Sequence, residues 1–457
     1  MIKLVLSDLW EHRHVWFGVV AVAVAFGFVG GWFASFTATA MADPTAKWAF
    51  FFKSAAQAML LFSSVSAICV LQSTAQNSVV SLRRTYALWQ LINMPPALVG
   101  CVAIGQITIA VCVGSFIGLL VQSLTAPVIF RLLFAGVGLF DGAYIQSGVS
   151  IYPVIVGVSM AISVLGGARA ARTAMRTSPL VVLKDERVLE PETAHMSLAH
   201  WVVVFAACGS IAWCISTVDL ALVSIDSGQS TWLVVLPVAI PALAAAIASV
   251  ILPRILDACA RLFTRDVAWS MACKGARHCL SQSTAIEVPL LVAAGIVGGW
   301  YAMMRLMERY YVTYGLPVGS GFDIDPRLAC VMFGGPVLLA AIGSFANVVL
   351  SLRSRTRDIA LLEVLGAGLH TVVLVAVLEA AVHVAAVDIL AALSVLLSNA
   401  IAACVLGLAL ADAVASLEAA PIALILLSGF LLLAIAEVSP VCHVLKSIAI
   451  RVLALER

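Results

Sequence analysis

The sequence predicts an all-α integral membrane protein of about ten transmembrane helices. It further predicts two parallel four-helix repeats joined by two helices, with interfacial coupling helices on one side. Three observations carry that expectation. Hydrophobic residues fill 63% of the 457 positions and charged residues only 11%, against about 45–50% and about 25% in a soluble domain. Water cannot be the main solvent of such a surface. The apolar residues gather into runs near the ~20 residues that cross a hydrocarbon core about 30 Å thick. Positive charge gathers in alternate gaps between those runs, as expected where Lys and Arg are held on the cytoplasmic side.

In chain order the runs lie near 15–36, 50–72, 98–124, 148–168, 200–223, 232–252, 286–304, 328–351, 372–398 and 420–439. The first resembles a signal peptide only superficially. Ala38-Thr39-Ala40 offers a small-residue cleavage site, but the run from Val15 to Phe36 is too long for an h-region of about 7–15 residues. The amphipathic stretch before it carries Asp8 and Glu11, so a retained first helix is expected. With the N-terminus inside, 20 of the 26 Lys and Arg residues fall in inner segments. The outer ones are Lys47, Lys53, Arg131, Arg305, Arg309 and Arg327. Cytoplasmic N- and C-termini in a bacterial inner membrane follow as an expectation.

Several classes are disfavoured. A formal net charge of +2 with scattered basic residues gives no reason to expect a nucleic-acid partner. Eleven cysteines are present, yet most lie within apolar runs, where a thiol serves as a small packing residue. No Cys-x-x-Cys pair or Cys/His zinc spacing occurs, so neither disulfide nor metal is expected. No Gly-x-x-x-x-Gly-Lys-Ser/Thr loop exists, so the chain is not expected to bind ATP or act as an enzyme.

An internal repeat is visible. Val29-Gly30-Gly31-Trp32 recurs as Val297-Gly298-Gly299-Trp300, an offset of 268. Arg84-Thr85-Tyr86-Ala87-Leu88-Trp89-Gln90-Leu91 aligns with Arg357-Asp358-Ile359-Ala360-Leu361-Leu362-Glu363-Val364, an offset of 273. Two matches at nearly one spacing, on matching membrane sides, point to a duplication whose halves face the same way. The expected domains are 1–185, a connecting region 186–264 holding two helices, and 265–457. Gly30, Gly31, Gly298 and Gly299 are expected to allow close helix approach, as are the spaced pairs Gly114/Gly118 and Gly295/Gly299. Trp32 and Trp300 are expected at the outer headgroup level.

The paired segments after the second and eighth helices carry the most information. Each has arginine before an amphipathic stretch: Ala87, Leu88, Leu91, Ile92 in the first, and Ala360, Leu361, Val364, Leu365 in the second. Each is broken before the next span, by Pro95-Pro96 or by Gly366-Ala367-Gly368. Such a helix suits the inner membrane surface. The segment from Arg357 to Ala367 resembles the Arg-Glu-Ile-Ala-Leu-Leu-Arg-x-Leu-Gly-Ala stretch of the FtsX-like permease family, the membrane subunits of MacB-type ABC systems. Arg84 begins a weaker twin. Ala168 to Leu183 is similar to the basic tail that follows the fourth helix in that family.

The resemblance implies a permease without a bound cofactor of its own, coupled to a dimer of a cytoplasmic ABC ATPase that carries ATP and Mg. Arg83, Arg84, Tyr86, Trp89, Arg357, Asp358 and Glu363 would couple the two, and the cargo would be an amphiphile such as a lipid or peptide. The sequence departs from the family in three places. Pro440 to Leu455 lacks the Pro-x-x-x-Leu ending, Asn93-Met94-Pro95 replaces Leu-Gly-Ala, and the outer loops 37–49 and 305–327 are short. A periplasm-spanning mechanism is therefore not expected.

Finally, Glu379, His383 and Asp388 place ionisable groups inside the ninth run, where such groups are functional candidates by default. Glu379 and His383 are four apart and share a face, so they either satisfy each other or belong to a substrate or proton path. Two rivals to the ABC reading remain open: a proton-coupled secondary transporter using these three residues, and a non-transporting membrane signalling or scaffold protein.

Overall fold

The computed structural model describes residues 2–134, 140, 143–176, 231–262, 266–278, 280–315, 326–364 and 368–455, with a few more between 201 and 216. Side chains of 351–367 and 439–455 lie outside that description. No strand occurs among the described residues.

Helix α1 (Ile2–Glu11) leads into α2 (Arg13–Ala42), and a loop of 43–48 turns the chain back into α3 (Ala49–Ser81). The short α4 (Arg83–Leu91) follows after Leu82, then α5 (Pro96–Phe134) and α6 (Tyr152–Met175), the last entered through a 3₁₀ turn at Val149–Ile151. Beyond the described gap come α7 (Thr231–Leu262), α8 (Val267–His278), α9 (Leu280–Thr313), α10 (Pro326–Val364), α11 (Leu369–Val405), α12 (Leu410–Ala415) and α13 (Ala419–Leu455).

Seven of these, α2, α3, α5, α6, α9, α10 and α11, contain spans long and apolar enough to cross a bilayer. The chain is thus a multi-pass, all-helical membrane protein over its described residues. The remaining three expected spans fare differently. The run at 200–223 lies largely outside the described residues. The run at 232–252 belongs to α7, which bends by 73° between Val235–Ala248 and Val250–Arg261. Pro253 gives a reason for the bend, since its ring nitrogen cannot bond the carbonyl four residues back, at Ser249. In α13 the apolar stretch found among the described residues is Ala419–Ile435, and the helix continues to Leu455.

Two bundles result. In the first, α2 packs on α3, α5 and α6, while α6 packs on α3 and α5. In the second, α9 packs on α10, α11 and α13, while α13 packs on α10 and α11. Helix α7 adds itself to α9 and α11. Val19, Val70, Val99, Ile107 and Ala170 lie in the core of the first bundle, and Ile286, Leu290, Val387, Leu390 and Leu426 in that of the second. An aromatic cluster of Trp32, Phe36, Phe52, Phe134 and Phe140 closes the first bundle at the end away from α4.

The bundles meet along α3 and α10. Ser66 Oγ donates to the Pro336 carbonyl at 3.4 Å and Asn77 Nδ2 donates to Asn347 Oδ1 at 3.1 Å. Both pairs are 270 residues apart, so the two helices run in the same direction and in register. Consequently α1, α4 and α8, which adjoin the C-terminal ends of α3 and α10 or the starts of α2 and α9, all lie on one side. We refer to it as the α4 side.

Candidate functional site

Two places gather the chemistry, both towards the α4 side. The first is α4 itself. Helix α4 ends in a Schellman motif: Met94 N–H donates to the Trp89 carbonyl and Asn93 N–H to the Gln90 carbonyl, each at 3.1 Å. Asn93 takes the left-handed φ of 68° that this motif needs. Pro95 and Pro96 then prevent continuation and start α5. The residues that looked like a departure from Leu-Gly-Ala are therefore a working helix stop.

Arg83 and Arg84 point outward, and so do Leu88, Leu91 and Ile92. Tyr86 and Ala87 are buried, and Trp89 is half-buried against the Tyr86 ring, 5.5 Å between centroids. The expected apolar stripe is thus split. Ala87 turns inward with Tyr86, while the three large aliphatic residues form an exposed face beside the arginines. Tyr86 and Trp89 anchor the helix instead of belonging to its outer face.

The anchoring is polar as well as apolar. Tyr86 Oη donates to Gln106 Oε1 of α5 at 3.0 Å, and Gln106 Nε2 donates to Asp8 Oδ2 of α1 at 2.6 Å. Gln90 Nε2 donates to the Ala174 carbonyl at the end of α6 at 3.2 Å. Burial pushes the Asp8 carboxyl above its ordinary range, and burial together with Asp8 pushes the Tyr86 phenol up. On the other half, Arg357, Asp358 and Glu363 fall within the continuous helix α10; their side chains lie outside the described residues. At 39 residues, α10 is about 58 Å long, so its end carries this segment well past a bilayer core.

The second place is a buried cluster between α9, α11 and α13. His383 is fully buried, and its Nδ1 lies 2.7 Å from Glu287 Oε1. Nε2 makes no hydrogen bond and stands 3.9 Å from Glu379 Oε1. Glu437 is 1% exposed, and one atom each of Glu379, His383 and Glu437 lie within 4.8 Å of one another. The expected approach of Glu379 to His383 is present at 3.9 Å, and a closer partner, Glu287 from another helix, joins it at 2.7 Å. Asp388 takes no part. It is exposed on the outer face of α11, beside Ile389 and Leu393.

Glu287 and Glu437 were missed because each lies at one edge of an apolar run, where boundary uncertainty makes a carboxylate look interfacial. Their signal was nevertheless present: each is the one acidic residue of its run, 286–304 or 420–439.

The expected packing glycines do meet neighbours closely. A Cβ on Gly30 would stand closer than 3.0 Å to Ile155 of α6, and one on Gly298 would stand 2.5 Å from Ile422 of α13. A Cβ on Gly31 would stand 2.6 Å from Gln122 Oε1 of α5, whereas Gly299 faces Pro237 of α7 at 3.1 Å. Both tryptophans pack on phenylalanine rings, Trp32 more deeply than Trp300. Trp32 is 7% exposed within the aromatic cluster, and Trp300 packs on Phe62 and Phe333.

No protein-family model, curated protein or solved structure gives a significant match to this chain.

Proposed function

We propose that the chain is the permease subunit of an ABC-type system, in which a separate ATPase dimer drives the two halves, 1–185 and 265–457, against each other to move an amphiphilic lipid or peptide. The observation that carries this reading is the construction of α4. A short helix exposes two arginines and three large aliphatic residues while hydrogen bonds tie its inner face to α5 and α6. A push on such a helix is passed to the bundle behind it rather than absorbed by a loop.

The duplicated layout belongs to the same proposal and has independent support. Gly30 with Ile155 and Gly298 with Ile422 are like contacts, displaced by 268 and 267 residues. The packing of α2, α3, α5 and α6 recurs in α9, α10, α11 and α13. One ATPase subunit would then dock at α4 and its twin at the end of α10, with both termini cytoplasmic. The buried Glu/His cluster favours a second reading, a proton-coupled transporter.

The test is reconstitution with the cognate ATPase, comparing wild type with the Arg84→Glu, Arg357→Glu pair. Charge reversal in a desolvated docking contact costs several kcal/mol, so the double variant should insert normally and lose ATPase stimulation. Full stimulation in that variant overturns the docking claim. Transport without ATP that stops when the proton gradient is collapsed supports the second reading.

A further inference from the structure

We infer that the cluster between α9, α11 and α13 is a binding site for a single first-row divalent transition-metal ion, held by His383 Nε2 and one carboxylate oxygen each of Glu379 and Glu437. The inference stands apart from the ATPase-driven reading, because it concerns occupancy of the second half alone.

Three features converge on it. Glu379 and His383 are four residues apart on α11, so their side chains leave one face together. Glu437 reaches the same point from α13, and the three donor atoms lie within 4.8 Å of one another. In a tetrahedral site with ligands about 2.0–2.2 Å from the ion, donor atoms stand about 3.5 Å apart, so a modest inward closure of side chains completes the set.

The imidazole is already arranged as a ligand. Glu287 holds Nδ1 at 2.7 Å, while Nε2 is fully buried, has no hydrogen bond and faces Glu379. An ionised carboxylate only accepts, so in the neutral imidazole the ring proton sits on Nδ1 and the Nε2 lone pair is presented to the cavity. A carboxylate behind a histidine is the outer-shell arrangement that fixes tautomer and raises basicity at metal centres.

Charge gives the third reason. Glu287, Glu379 and Glu437 bring three carboxylates to one imidazole in a low-dielectric bundle, surroundings that attract a cation. A dication is attracted by the carboxylates and also uses His383 Nε2, which protons on the carboxylates do not. The mixed nitrogen and oxygen donors select zinc or manganese over magnesium and calcium, which prefer oxygen alone. Glu379 is the least buried member, and Gly275 of α8 lies beside its carboxylate without a side chain to cover it. That is the way in.

The experiment uses the full-length chain in lipid nanodiscs, stripped with chelator and titrated with Zn²⁺ in excess Mg²⁺ against a fluorescent zinc indicator, with bound zinc counted by mass spectrometry. A single ion per chain is expected. His383→Gln and Glu437→Gln should abolish measurable binding, and Glu287→Gln should weaken it about 10–100-fold. Asp388→Asn should bind as wild type, and so should the Cys259→Ser, Cys273→Ser pair, which checks that the buried thiols nearby on α7 and α8 are not ligands. Should a variant fail to fold, the zinc-dependent rise in melting temperature of wild type, absent with Mg²⁺ and reduced in Glu379→Gln, decides the question. Substoichiometric zinc in a folded wild type overturns the site, as does unchanged affinity in His383→Gln.

Discussion

Gln106 is fully buried in α5, and both ends of its amide are committed. Asp8 as a carboxylate can only accept, so the amide nitrogen must face it and the amide oxygen must take the Tyr86 proton. The chain Tyr86–Gln106–Asp8 thereby links α4, α5 and α1. Tyr86→Phe leaves Gln106 Oε1 buried without its donor, so we expect a loss of about 1–3 kcal/mol, read as a lower melting midpoint with no change in membrane insertion. Leu88→Ala on the exposed face of the same helix should leave the midpoint unchanged. Asp8 gives a pH prediction of definite sign. Burial holds its folded-state pKa above the unfolded value of about 3.9, despite the opposing hydrogen bond from Gln106 and the nearby His12. The fold therefore prefers the protonated acid. That preference is fully expressed below about pH 4 and is lost as pH rises through the raised folded value. Asp8→Asn keeps an acceptor for Gln106 without the charge. Its stability relative to wild type should rise between about pH 4 and about pH 7, and a flat difference across that range contradicts the assignment.

At the scale of elements, α2 and α5 approach until backbone meets backbone. A Cβ on Gly114 would lie 2.7 Å from the Val20 carbonyl oxygen, and one on Gly118 closer than 3.0 Å to that of Val24. Gly27 answers from α2, facing the Ser115 carbonyl. Gly118→Ala must therefore part the helices or strain them, with a cost of about 1–3 kcal/mol. Gly157→Ala, with nothing within 4 Å of the added carbon, should be neutral in the same unfolding assay. The Gly114-x-x-x-Gly118 spacing was legible in the sequence because helical periodicity is local, as were the seven long spans and the break at Pro95-Pro96. What could not be read locally is the partner. Nothing in the neighbourhood of Gly27 says that it faces Ser115, and nothing near His383 says that Glu287, 96 residues away, joins Glu379 at its ring. Trp32 and Trp300 show the same limit: composition places tryptophan at an interface, but Trp32 is buried in an aromatic cluster and Trp300 is half-buried against Phe62 and Phe333. The bend in α7 had its cause in the sequence, Pro253, although α7 also holds Pro237 and Pro241, and proline alone does not say which of three positions gives way.

Across the whole molecule, the contact between the bundles joins an aromatic end, where Phe62 of α3 stacks on Phe333 of α10, to a seam of small and polar residues. Gly335 and Gly343 of α10 admit Ser63 and Val70 of α3 closer than 3.0 Å to where a Cβ would stand. Nearer the α4 side, Asn77 donates to Asn347, which in turn donates to Ser73 Oγ at 3.2 Å. Hydrogen bonds of this kind within membranes average well under about 2 kcal/mol each, so the polar end of the seam aligns the halves without welding them. If the halves rock on it, the Asn77–Asn347 end, close to α4, must open and close during each cycle, while the far end acts as the pivot. A double variant Asn77→Cys, Asn347→Cys, in a background whose accessible native cysteines are replaced, places two thiols across the seam for a short bifunctional reagent. Cross-linking should proceed readily, because those side chains touch. It should then stop ATP-driven transport while leaving ATPase docking at α4 intact, and cleavage of the linker should restore turnover. A reagent long enough to span an opened seam should inhibit less than a short one. Full transport with the short link in place would mean that the two bundles move as one body, and the driving force delivered at α4 would have to act within the first half alone.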